Sequence, residues 1–220
     1  MNRELIVSTL FQYLTSPPMV FEFTADTTTG SAALTAVSDT TGLMVGMPVA
    51  GDGVPLGATL ATITPTVTLS LPAYADRSAS PLVQGFQTTN RRGRDPSAEQ
   101  DMPALYMVEL NELHGYREAT RGGYLAELNV DVHLYTAAGA EEAAVPASAL
   151  NYMIDALERA LNPPANHPGG LRQNLGLKGV HYCRIEGELV KFPGDNAQLG
   201  SAVVPIKIGV APHVDTVAYP

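Results

Sequence analysis

Residues 124–135 read YLAELNVDVHLY. Ala126, Leu128, Val130, Val132 and Leu134 alternate with Glu127, Asn129, Asp131 and His133. Successive side chains of a strand point to opposite faces, so a period of two predicts one buried face and one wet face. Gly122 and Gly123 open the run, and the tail AAGAEEAAVP (137–146) leads out of it. Then the period changes. In VPASALNYMIDALERAL (145–161), Leu150, Ile154, Leu157 and Leu161 form a stripe with Met153 beside it, which predicts a helix. Pro146 suits its first turn, and Asn162-Pro163-Pro164 end it.

Further elements flank this strand–helix pair. ALYMVELNEL (104–113) precedes the strand, with LHGYREATRGG (113–123) between them. VHYCRIEGELVKF (180–192) and SAVVPIKIGV (201–210) follow the helix as alternating strands joined by a loose hairpin, PGDNAQLG (193–200). Pro205 within the last strand predicts an edge position or a bulge, because proline lacks a ladder donor. At the N-terminus, Ile6, Leu10, Tyr13 and Leu14 predict a helix over 2–15, stopped by Pro17-Pro18, and MVFEFT (19–24) reads as a strand. The sum is an α+β fold, a mostly antiparallel sheet with two flanking helices. Its long strands 124–135 and 180–190 are expected to be edges that something must cover.

Residues 25–81 have another texture. They are rich in Thr, Ala, Gly and Pro, and no Lys or Arg occurs between Arg3 and Arg77. SAALTAV, ATLATIT and TVTLSL sit between the turn signals SDTTG and GDGVPLG, as in a small all-β unit. LVQGFQTTN (82–90) resumes the earlier style. MVFEFT and LVQGFQT are expected to be neighbouring strands whose hairpin tip carries the inserted module. The expected organisation is a discontinuous core, 1–24 and 82–220, with a small β domain over 25–81. The alternative is a second domain in series.

Composition excludes several classes. Hydrophobic residues make up 45% and charged residues 16%, a globular balance. No apolar run approaches the roughly 18 residues of a membrane span, and the N-terminus is too polar for a signal peptide. Cys183 is the lone cysteine, so no internal disulfide can form, which fits a reducing cytoplasm. The net charge of −9 argues against a DNA-gripping surface, though an acidic protein can surround DNA that slides.

Catalytic patterns are weak. Ser148 stands near a helix start and lacks a nucleophile elbow. Cys183 reads as a core residue, with His181 expected on the same strand face. His114, His133, His167, His181 and His213 show no zinc spacing. The pairs Glu186/Glu188 and Glu127/Asp131 read as solvated strand faces, with acid/base work or calcium as the alternative. GDGVPLG lacks the Lys-Ser/Thr ending of a phosphate loop and reads as turns. No cofactor, metal or catalytic residue is expected. One charge cluster, Arg91, Arg92 and Arg94, lies in the polar loop RRGRDPSAEQDMP (91–103) and is expected to face an acidic partner or passing DNA.

The segment 101–161, with DMPALYMVEL, AELNVDVHLY and the helix after it, resembles the core of the tailed-bacteriophage tail terminator family. HYCRIEGELVKF and SAVVPIKIGV match that family's aromatic-rich strand and final hairpin, and the N-terminal helix and strand also match. The resemblance covers roughly 1–24 and 82–212. The inserted module departs from it, so the module is expected on the outside of the assembly. The resemblance implies a non-enzymatic virion protein at the tail–neck junction, assembled in the bacterial cytoplasm. It implies a homohexameric ring on the head-proximal end of the tail tube that stops polymerisation. Implied partners are the tail tube protein, a head-completion or neck connector protein, and sheath protein if the tail contracts. DNA would be passing cargo, and no membrane is involved. Alternatives are another neck component, a head-closure or tail-completion protein, a β-rich adhesin-type module, or a hydrolase using Cys183 or a carboxylate pair.

Overall fold

The computed structural model describes residues 2–15, 19–55, 58–86, 88–92, 102–116, 124–137, 146–161, 174–192, 199–211 and 217–218. Its class is α+β, built from mostly antiparallel strands and two helices. Helix α1 spans Arg3–Leu14. Asn2 caps it, its Oδ1 accepting from the Leu5 N–H at 3.1 Å. Helix α2 spans Pro146–Leu161 and begins at the proline.

The chain between the helices holds β1 (Phe21–Thr27), β2 (Val49–Gly51), β3 (Leu60–Thr62), β4 (Thr68–Leu69), β5 (Arg77–Gln84), β6 (Thr88–Asn90), β7 (Ala104–Tyr116) and β8 (Tyr124–Ala137). After α2 come β9 (Leu177–Lys178), β10 (Val180–Ile185), β11 (Val190–Phe192), β12 (Leu199–Val210) and β13 (Val217–Ala218). The large sheet has the order β10-β12-β8-β7-β6, with β11 also paired to β12. All its pairings are antiparallel except β6 with β7.

The alternation in β8 does what its period predicts. Ala126, Leu128, Val130, Val132 and Leu134 are buried, and the last four join Val204, Ile206 and Ile208 of β12. Ile6, Leu10 and Leu14 of α1 and Leu150, Leu157 and Leu161 of α2 cover them in one core. At about 25 cal/mol per Å², burial of such side chains is the main favourable term. The position of β8 differs from the expected one. It is central, flanked by β12 and β7, and not an edge. The last hairpin adds on its far side, a choice that strand periodicity does not encode.

Pro205 lies at neither expected place, because β12 is an inner strand and its register against β8 runs through Pro205 without a shift; the neighbouring strand is interrupted instead. The Pro205 carbonyl accepts from the Glu186 N–H at 3.1 Å, so its donor-less nitrogen faces the same side, where β10 has ended and β11 has not begun. Gly187 sits in that gap with φ +144°, and a Cβ there would lie 2.8 Å from Pro205 Cγ. The expected strand 180–192 is therefore two strands.

β1 and β5 are neighbours as expected, pairing antiparallel with Phe21 opposite Gln84 and Phe23 opposite Leu82. They found a separate three-stranded sheet, β1-β5-β2, and do not join the large one. Phe23, Ala25 and Leu82 share a second core with Leu34, Leu60, Val67 and Leu69. Met19 and Phe86 belong to the large core and Phe21 and Leu82 pack with the small one, so the two cores part just before β1 and just after β5. The module is also tied down. Met47 is fully buried in the large core, and Met44 packs against it. The buried Gln84 holds this segment, its Oε1 accepting from the Met44 N–H at 2.6 Å and its Nε2 donating to Gly42 O at 3.2 Å.

Candidate functional site

The described residues expose seven large hydrophobic side chains: Val45, Tyr74, Leu110, Leu113, Tyr152, Val190 and Phe192. Four of them stand at the two borders of the large sheet. Leu110 (52% exposed) and Leu113 (54%) belong to β7, and Val190 and Phe192 (58%) to β11.

Among the described residues, the β7 border is left open because β6 is short. It pairs only with Ala104, Leu105 and Tyr106. From Met107 to Tyr116 no described strand covers the outer side of β7. The register of β7 against β8 shifts between Glu109 and Glu112, a bulge that turns Leu110 and Asn111 out of the ladder. Asn129 bridges to Asn111 O and Oδ1, both at 3.2 Å.

Ion pairs brace this border from α1. Arg3 grips Glu112 through Nε and Nη2, at 2.5 and 2.9 Å. Arg91 reaches Glu4 and, at 2.7 Å, Glu109. The Arg91 guanidinium is raised further by its bonds to Glu4 and Glu109, and Glu4 is correspondingly lowered by Arg91. Arg91 thus ties α1 to β7 and does not project as a free arm. Arg92 is exposed, its backbone N–H donating to Asn90 Oδ1 at 3.1 Å. Arg94 lies outside the described residues, so the three arginines are not seen as one cluster.

The opposite border is β10 with β11. All three residues of β11 are exposed. Lys191 Nζ donates to Asn151 Oδ1 of α2 at 2.6 Å, which holds the strand against the helix.

The sheet face turned away from the helices is a self-satisfied polar network. Tyr182 donates to Glu127 Oε2 at 2.9 Å. Lys207 lies 3.3 Å from Glu127 and 3.4 Å from Glu186, and Arg184 pairs with Glu186 while stacking 4.5 Å over the Tyr182 ring. Glu186 is lowered chiefly by Arg184, and Lys207 is raised chiefly by Glu127. Tyr182 is raised by burial, then by Glu127.

The other sequence candidates separate. Cys183 is fully buried, and burial pushes its thiol up, so it is no thiolate at neutral pH. His181 is exposed and does not share its face, because a register shift between Val180 and Tyr182 reverses the alternation. Glu186 and Glu188 flank the Gly187 break and are not on a strand. Asp131 stands opposite Pro205. GDGVPLG contains a turn at Asp52-Gly53, where Gly53 has φ +89°. His167, His213 and the Ser148 side chain lie outside the described residues. Among the described residues, no three His, Cys, Asp or Glu side chains converge on a possible metal position. No described helix is long and apolar enough to cross a membrane.

The residues that sequence reasoning missed are Leu110, Leu113, Val190 and Phe192. Their signal was present as apolar side chains at the ends of alternating runs, but only the strand order shows that they lie on borders. No protein-family model matches the chain, and no curated protein matches it either.

Proposed function

We propose that the chain is a ring-forming virion subunit that caps the head-proximal end of a phage tail tube. The observation that carries this reading is the pair of sheet borders that no described strand covers, each with two exposed apolar side chains, on opposite sides of one sheet. The β7 border of one copy meets the β11 border of the next. Such a contact is heterologous, and a heterologous contact that repeats by rotation closes a ring. Identical neighbours then cover edges that would invite aggregation in a lone copy.

The network on the open face supports a lumen through which DNA slides. Glu127, Asp131 and Glu186 outnumber Lys207 and Arg184, and all but Asp131 are engaged with one another. Such a surface offers little free positive charge to phosphate. The tail tube protein and a neck protein would dock on the two ring faces.

Electron microscopy of purified protein is expected to show rings with a central hole. Leu113→Asp and Phe192→Asp should each yield monomers with an unchanged melting temperature, because both side chains are exposed. Added to polymerising tube subunits, the intact chain should shorten tubes. Tubes of unchanged length, with wild-type protein monomeric in their presence, would overturn the reading.

A further inference from the structure

Two exposed apolar side chains lie off the sheet yet close to one of its borders. Val45 (45% exposed) belongs to the inserted module and Tyr152 (42%) to α2. They come together at Gly46. Its φ is +84°, and a Cβ there would lie 2.3 Å from Tyr152 Cδ1, so the bare glycine lets the tyrosine ring rest on the module's backbone. The loop is held on every side. The Gly46 N–H donates to Leu60 O at 2.7 Å, the Met44 N–H donates to Gln84 Oε1, and Met47 is fully buried in the large core. Tyr152 follows Asn151, whose Oδ1 accepts from Lys191 of β11 at 2.6 Å. The Val45–Tyr152 patch thus continues the β11 border on its helix side.

The register shows that the two borders match face by face. Lys191 stands opposite Ala202 of the core, so it is on the helix side, while Val190 and Phe192, opposite Val203 and Ser201, are on the open face. At the other border Glu112 stands opposite Leu128 of the core, and Leu113 opposite Glu127 of the open face. The helix sides also differ in charge. At the β7 border Glu4, Glu109 and Glu112 meet Arg3 and Arg91, three carboxylates against two guanidiniums with His114 neutral, which leaves one negative charge. Lys191 is bonded to a neutral amide, and no described carboxylate pairs with it. Area points the same way. The three residues of β11 span only about 10 Å, far short of the roughly 800 Å² that each partner of a stable interface buries, so the contact needs surface beside the strand.

We infer that the inserted module is part of the subunit contact: Val45 and Tyr152, with Lys191, receive the helix side of the next copy's β7 border at Leu110 and Glu112. This rests on the ring reading and goes beyond it, since that reading forms the seam from the sheet alone. The module then clamps the seam from behind while Val190 and Phe192 meet Leu113 in front.

Sedimentation of the full chain tests it. Val45→Asp is expected to weaken association about 10-fold, with an unchanged melting temperature because Val45 is exposed. Tyr74→Ser removes the module's other exposed large apolar side chain, beside Asp52 and Arg77 at the far end of the β1–β5 pair, roughly 20 Å away at about 3.3 Å per residue, and should leave association unchanged. Should Val45→Asp melt early, cross-linking decides. A short bismaleimide should join Val45→Cys to Leu110→Cys in a mixture and should join neither variant to itself, the native Cys183 being fully buried. Wild-type association by a folded Val45→Asp, or no link in the mixture, would overturn the inference and leave the ring standing. Val45→Cys linked to itself would overturn it too, because the patch would then meet its own copy and not β7. Wild-type protein that stays monomeric at all concentrations would overturn it, whereas the ring reading is decided separately by tube length.

Discussion

The two hydrophobic cores are built by different means. The large one rests on strands of twelve to fourteen residues, β12, β7 and β8, crossed by two helices. The small one is closed by strands of two and three residues, β2, β3 and β4, with single bridges at Asp26–Thr35, Ala33–Thr68 and Pro48–Thr59. Long ladders repeat one rule many times, so losing one residue leaves the register intact. A core made of short pieces depends on individual turns and side-chain bonds, such as Asp39 accepting from both the N–H and hydroxyl of Thr41 at 2.8 Å. Gln84, Met44 and Met47 join the two, so the module is seated on the helical core and does not hang from a flexible tip.

Breaking the large core is expected to cost most. Leu157→Ala removes a fully buried side chain between α2 and the sheet and should cost about 3–4 kcal/mol. Urea denaturation would measure it, and a loss under about 1 kcal/mol would show that the helix is not seated as described. Leu60→Ala in the module should cost about 2–3 kcal/mol. Hydrogen exchange should then accelerate in β3 and β4 while β8 and β12 stay protected. Equal acceleration in both would mean one cooperative unit.

The junction sharpens the comparison. Gln84→Leu leaves the Met44 N–H and Gly42 carbonyl without their partner and should cost about 1–3 kcal/mol. It should also loosen the module from the core, detected as faster exchange at Met44 and Met47. A variant with wild-type exchange there would remove Gln84 as the tie. In the large sheet, Gly209→Ala should cost about 1–2 kcal/mol, because a Cβ would collide with the Tyr182 ring lying over that strand. A gain in stability would mean that Tyr182 can move aside.

Acid gives the smallest effect, and it touches both regions. Glu112 is held below its ordinary 4.5 by Arg3. In the module, Asp52 is held below its ordinary 3.8 by Arg77, and Asp76 by the Thr29 N–H. Each binds a proton less readily folded than unfolded. Their contribution is complete at neutral pH and is lost as pH falls past those ordinary values and through the lower folded ones. A melting temperature that is flat from neutrality to about pH 5 and then declines is expected. A decline beginning above about pH 6 would point to histidine instead.

Much of the large unit was legible because its physics is local. The burial of Ala126 to Leu134, the helix from Pro146 and the capped helix after Asn2 follow from spacing and from single residues. The module was legible as a β unit but not in its detail, since SAALTAV contributes only bridges and no strand. Propensity there is overridden by side-chain and turn contacts between segments far apart in sequence.

Side-chain period and chain-terminating residues were enough to settle which segments are strands or helices and which of their faces are apolar, because those properties depend on neighbours a few residues away. Which strand lies in the middle was a different matter. Periodicity marks β8 as half-buried but is silent on the side to which β12 adds, so the borders, and with them Leu110, Leu113, Val190 and Phe192, emerge only when all strands compete for the same edges. The phase of His181 against Cys183 belongs to the same class, since a one-residue bulge is decided by the partner strand and not by the strand itself.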